Sequence, residues 1–335
     1  MSSHTAFEEV PVKLRKHAAV KAWAQLGPDR VEPDRVEVLK LRTKSAVYRL
    51  VGVGSYGSAV IAKRCFTETA TVEGVIYEKL LPQLPLAAVH CYGIVHERGG
   101  QYSWLFLEEA DGPEYSPVSD ADRLLAGEWL GNFHGAALKR GPVRKLPQRN
   151  ATYYLGRLRS SRSVIRGLLT NVTVPEEDLA VLRSVAAQCD VLETHWVELE
   201  AMCAGAPQTV VHGDFVVKNC RIRPATVGRE FLVFDWEVAG WGVPATDLAQ
   251  ATGHVVSPDL QAYCSALARH GVRLDLPAAE RLATCGKFFR LLDVIAWACT
   301  WVVDDDYKFL RKPISFLRSY EARLAEALRA AGWTK

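Results

Sequence analysis

Across the 335 residues, alternating apolar and polar positions fall in one early block, and helical periodicity fills nearly everything after it. Strands and helices that come in separate blocks build a small sheet layer followed by a helical one, so the expected class is α+β. Val36 to Leu41, Ala46 to Val51 and Ala59 to Cys65 read as an antiparallel meander. Thr69 to Leu84 places Val72, Ile76, Tyr77, Leu80 and Leu81 on one helical face, and strands follow around Ala87 to His96 and Tyr102 to Glu108. The turn cluster Ala110-Asp111-Gly112-Pro113 then marks a hinge. Residues 1–110 form a first lobe of five strands with one inserted helix, and residues 111–335 a larger helical lobe.

In the second lobe helices are expected over Ala121 to Leu138, Leu179 to Met202, Pro244 to Val256, Asp259 to His270, Pro277 to Val303 and Ile314 to Gly332, with Gly141 to Thr173 left unassigned. Val10 to Leu26 reads as a basic amphipathic helix packed on the first lobe.

Hydrophobic residues make up 49% of the chain, enough for a core in each lobe. The balance of 41 Lys and Arg against 38 Asp and Glu excludes the broad field of a nucleic-acid or membrane binder, while leaving room for a local cationic pocket around a phosphorylated ligand. Eight cysteines stand singly in apolar segments, as reduced thiols of a cytoplasmic protein do. Leu291 to Val303, broken by Asp293, is too short to span a bilayer.

The chemistry lies in Val210-Val211-His212-Gly213-Asp214, Asn219, and the apolar run Phe231 to Phe234 that ends in Asp235-Trp236-Glu237. Moving a γ-phosphoryl group requires magnesium on phosphate oxygens, a cation on the phosphates and a carboxylate beside the attacking hydroxyl. An Asp five residues before an Asn is the spacing of a loop in which Asp214 receives the substrate proton and Asn219 holds metal. Asp235, at a strand end, presents a second metal ligand. Whether Glu237 touches metal stays open. His212, behind an apolar strand, reads as a buried histidine bonded to backbone.

Val210 to Gln250 resembles the signature of the aminoglycoside phosphotransferase and choline kinase family, small-molecule kinases with a protein-kinase-like two-lobed fold. Gly242-Val243-Pro244-Ala245-Thr246-Asp247-Leu248 resembles the family's next segment, and Asp247 reads as a loop brace. The resemblance implies ATP and Mg2+ as cofactors, Lys63 at a strand end on the phosphates, and Glu73 on the following helix as its partner in preference to Glu78. It further implies that backbone groups near Glu108 and Ala110 meet the adenine edge. The acceptor is then a hydroxylated small molecule: an aminoglycoside or other antibiotic, choline or ethanolamine, or a sugar.

Gly52-Val53-Gly54-Ser55-Tyr56-Gly57 spells G-x-G-x-x-G, yet strand residues rather than a helix follow it, so it reads as the turn between the second and third strands. The phosphate-covering loop is assigned instead to Arg42-Thr43-Lys44-Ser45, with Ser45 a nucleotide contact. Phe106 reads as core or adenine pocket. Asp304-Asp305-Asp306, with Trp297, Trp301 and Tyr307 nearby, is the acidic cluster that a cationic acceptor would use, or else a solvated loop. Loss of Asp214, Asn219 or Asp235 would have pointed to a nucleotide-binding pseudokinase scaffold, and the glycine motif alone to a nicotinamide-dependent oxidoreductase.

Overall fold

The computed structural model describes residues 8–9, 14–42, 45–143, 145–226, 228–251 and 254–335. They divide into two compact units. The first holds the described residues through Tyr115, residues 145–146 and Lys218–Ala239; the second holds Ser116–Val143, Pro147–Val217 and Gly240–Lys335. The single cut expected after Ala110 assigns Lys218–Ala239 to the helical lobe, whereas these residues group with the sheet.

The first unit begins with β1 (Glu8–Glu9), α1 (Ala18–Ala24), β2 (Arg35–Arg42), β3 (Ser45–Val51) and β4 (Val60–Phe66). It continues through α2 (Thr67–Gly74), β5 (Cys91–His96) and β6 (Tyr102–Glu108). The sheet runs in the order β1-β2-β3-β4-β6-β5 and every pairing is antiparallel, so the meander and the inserted helix are present and a two-residue edge strand joins the five expected. A short turn at Ser55–Gly57 separates β3 from β4, which places the glycine motif in that turn.

Alternation along β4 sorts its side chains between two faces. Val60 and Ala62 join Trp23, Val36, Leu50, Trp104 and Phe106 in a core that α1 covers, which settles Phe106 as core. Ile61 and Lys63 point to the other face. Of the expected helix Val10 to Leu26, Ala18–Ala24 is helical and residues 10–13 lie outside the described residues. The helix expected over Thr69 to Leu84 is helical through Gly74 and then widens into π-type turns over Val75–Leu80. A Cβ on Gly74 would stand 2.5 Å from Ile94 Cδ1 of β5, so a larger residue there would push the end of that side chain aside.

The second unit starts with α3 (Asp120–Arg140), β7 (Gln148–Arg149), α4 (Ala151–Leu168), α5 (Glu176–Thr194), α6 (Trp196–Cys203) and β8 (Thr209–Val211). The unassigned stretch thus carries α4, whose N-cap Asn150 accepts from the Tyr153 N–H. The expected single helix Leu179 to Met202 is two, broken at His195, the C-cap of α5 and N-cap of α6.

The chain returns to the first unit as a hairpin of β9 (Cys220–Pro224) and β10 (Arg229–Val233), then completes the second with β11 (Gly240–Gly242), α7 (Ala245–Leu248), α8 (Leu260–Arg269), α9 (Leu276–Cys299) and α10 (Tyr307–Ala330). The helix expected over Pro244 to Val256 ends after Leu248. Gln250 turns its amide onto the Leu248 and Pro258 carbonyls, and the Val217 N–H donates to the His254 carbonyl, so this backbone is satisfied outside a helix. β11 pairs antiparallel with β8 and parallel with β7, and this small sheet carries the His212 loop. Among the described residues no helix is long and apolar enough to cross a membrane.

Candidate functional site

In the first unit a cavity of about 280 Å³ opens on the Lys63 face of the sheet. Ser45, Lys63, Glu73, Glu108, Ala110 and Asp235 all line it, which brings together every residue assigned to the nucleotide and one of the two assigned to metal. Strand pairing sets Lys63 between Val47 of β3 and Leu105 of β6, in the middle of the sheet. Its ammonium donates to Glu73 Oε1 at 2.6 Å and to Asp235 Oδ1 at 2.5 Å, with Glu237 Oε2 at 3.5 Å.

Burial lowers the Lys63 pKa, but the three carboxylates outweigh it and hold the ammonium well above its ordinary value. Burial pushes Glu73 up to about 7 against the pull of Lys63. Glu78, its rival in the sequence, is exposed.

Asp235 has a φ of 67°, a left-handed conformation that strains a non-glycine residue and is held where the surroundings over-determine it. Its N–H donates to the Tyr77 hydroxyl at 3.2 Å, while its carboxylate meets Lys63. Across the hairpin the Asn219 carbonyl accepts from the Phe234 N–H at 3.0 Å, extending the ladder by one step and setting buried Asn219 opposite the residue before Asp235.

Glu73, Asp235 and Glu237 bring carboxylate oxygens within 4.8 Å of one another. Three carboxylates around one ammonium leave excess negative charge, and Glu73 Oε2 has no hydrogen-bond partner among the described residues. Hard oxygen donors with surplus negative charge fit a magnesium ion. Asp235 lies in that cluster, and Asn219 sits across the hairpin from the residue before it.

Along the cavity edge, the Glu108 N–H donates to the His90 carbonyl and its carboxylate pairs with Arg223 at 2.6 Å, while Arg49 holds Glu109 at 2.8 Å. These ties fix the backbone over Glu108–Ala110. Of the proposed phosphate loop, Ser45 opens β3 and lines the cavity; Thr43 and Lys44 lie outside the described residues.

The second unit carries Asp214. Its N–H donates to His212 Nδ1 at 3.1 Å, and His212 is fully buried. The loop is braced from behind by Asp247, which accepts from the His212 N–H at 2.6 Å and the Gly213 N–H at 2.9 Å. Burial would raise the Asp247 pKa, but contacts with His134 and His212 hold it below the ordinary carboxylate value. Arg290 of α9 closes the other side, donating to the Gly213 carbonyl at 2.8 Å and to Asp214 Oδ1 at 2.9 Å.

Sequence reasoning passed over Arg290, His134 and Tyr77. Arg290 left one visible signal, a charge set among Phe288, Phe289, Leu291 and Leu292, all buried. Within the acidic triplet, Asp306 caps α10 and Asp304 accepts from the Asp306 N–H, whereas Asp305 is held through its backbone carbonyl, which accepts from Asn171.

No curated protein matches the chain in sequence. Among solved structures, the GDP complex of aminoglycoside 2'-phosphotransferase-IIIa aligns with a TM-score of 0.59 at 12% identity, covering 90% of this chain and 97% of that one. Choline kinase from Cryptosporidium parvum gives 0.54 at 11% identity, with coverage of 89% and 91%. Spectinomycin phosphotransferase in complex with ADP and spectinomycin gives 0.56 at 8% identity, with coverage of 93% and 99%. At such identities the likeness shows the fold, which is that of these small-molecule kinases. The model of the phosphotransferase enzyme family matches residues 70–283, well over half of the sequence, and the chain therefore belongs to that family.

Proposed function

We propose that the protein is an ATP- and Mg2+-dependent phosphotransferase that phosphorylates a hydroxyl group of a small molecule. Asp214 takes the hydroxyl proton, Lys63 holds nucleotide phosphates and is oriented by Glu73, and Asn219 with Asp235 binds the metal ion. Ser45 contributes to phosphate binding, and the backbone at Glu108 and Ala110 meets the base. The observation that carries this reading is the Lys63 ammonium held between Glu73 and Asp235 inside a cavity. Family membership supports transfer to a hydroxyl, and the nucleotide complexes of the structural neighbours support a nucleotide donor. Eight free cysteines, six of them with pKa values raised first by burial, accord with a reducing cytoplasm.

The test is ADP release and product mass across hydroxylated metabolites and antibiotics, with Asp214→Ala alongside. Asp214→Ala is expected to cut turnover by roughly 10²-fold or more while nucleotide still binds. Near-normal turnover in that variant would refute its role, and nucleotide binding without turnover on any acceptor would favour a pseudokinase scaffold.

A further inference from the structure

Around Asp214 the second unit sets three guanidinium groups against two carboxylates. Arg290 pairs with Asp214 Oδ1 at 2.9 Å, and three residues along the same helix Asp293 lies 3.3 Å from Arg157 Nε of α4. Arg149 and Arg157 flank one ring, their guanidinium carbons 4.4 and 5.9 Å from the Tyr153 centroid. Tyr153 and Arg157 are four residues apart on α4, and Arg149 reaches the same ring from β7, just before the N-cap Asn150. Burial raises the Asp293 pKa; Arg157, Arg149 and Arg290 pull it down and Asp214 pushes it up, so these side chains form one electrostatic neighbourhood. Arg157 Nε is buried beside Asp293 and makes no hydrogen bond among the described residues, while the side chain as a whole is 32% exposed.

On the phosphotransferase reading above, we propose that this strip binds an acceptor bearing an anionic group, a carboxylate or a phosphate, beside the hydroxyl that is phosphorylated. Arg157 and Arg149 bind the anion and Tyr153 forms the floor beneath it. The planar guanidinium fork matches both oxyanions through paired N–H donors. A polycationic amino sugar would set its ammonium groups against three guanidiniums here. Two carboxylates of the acidic triplet, Asp304 and Asp306, are engaged by backbone N–H groups at the start of α10.

Calorimetry on the full chain with Mg2+ and a non-hydrolysable ATP analogue tests this, with separate arms for glucose 6-phosphate, glycerate, glucose, choline and kanamycin. At least one of the two anions is expected to bind, and the two arms tell phosphate from carboxylate. Arg157→Gln should weaken that binding roughly tenfold or more, as loss of a charged hydrogen bond does, and Arg157→Lys should lose less. A melting curve for each variant separates lost binding from lost folding. Failure of both anions to bind, binding of kanamycin or choline in their place, or equal affinity in Arg157→Gln would each overturn the inference. Binding of the ATP analogue alone is measured first: its absence counts against the phosphotransferase reading, whereas its presence without anion binding sinks the acceptor inference only.

Discussion

Lys63 and Asp235 stand 172 positions apart in sequence, and the lysine ammonium lies 2.5 Å from Asp235 Oδ1. The central strand of a sheet and the end of a hairpin fix the two partners, so neither depends on a flexible loop for its position. The electrostatics of this centre and of the Asp214 loop make specific demands.

Glu73 ties stability to pH. Burial raises its carboxyl to about 7, above the value of 4.5 for a free side chain, so the folded protein holds this proton more tightly than the unfolded chain. The stabilisation is complete below the unfolded value and is lost as pH rises through about 7. Glu73→Gln cannot titrate. Urea denaturation between roughly pH 5 and 8 should therefore show the wild type losing stability relative to Glu73→Gln as pH rises. Parallel pH curves would contradict the assignment.

Asp235→Asn removes the charged ligand and leaves its shape. The magnesium concentration for half-maximal activity is expected to rise by roughly tenfold or more, read from activity against Mg2+ at saturating nucleotide. An unchanged midpoint would take Asp235 off the metal.

Arg290 positions Asp214 without reaching a reacting atom in the role assigned here. Lysine at 290 keeps the charge but cannot reproduce bonds to both the Gly213 carbonyl and Asp214 Oδ1. Arg290→Lys should lower kcat by roughly 10- to 100-fold with little change in nucleotide KM. A rise in nucleotide KM at constant kcat would point to a different role.

The Asp247 brace is a stability element as well. Asp247→Ala strands two buried N–H groups, at a cost of about 2–4 kcal/mol in denaturant unfolding. Gly286→Ala attacks the same brace from α9, because a Cβ there would sit 1.8 Å from the Ala245 carbonyl oxygen at the start of α7. Displacing α7 should cost about 1–3 kcal/mol. Stabilities within about 0.5 kcal/mol of wild type in both variants would show that the loop holds without Asp247.

The local pattern carried far where backbone period and side-chain chemistry agree. Alternation over Val60 to Cys65 was enough to send Lys63 away from the core, and helical spacing with Ile76 and Tyr77 separated Glu73 from Glu78. Where periodicity was carried by residues with other partners it misled. Pro244 to Val256 is apolar at helical intervals, yet Gln250 and His254 bond elsewhere and the helix is four residues long.

By itself the sequence determined the strand and helix blocks and the Asp214, Asn219 and Asp235 spacing, because these depend on neighbours close along the chain. Only the tertiary structure decided which distant charges meet the reactive ones. Arg290 reaches Asp214 across 76 residues and Asp247 reaches His212 across 35. Such partners are selected by burial, where a polar group must find another and the chain's packing determines which one is within reach.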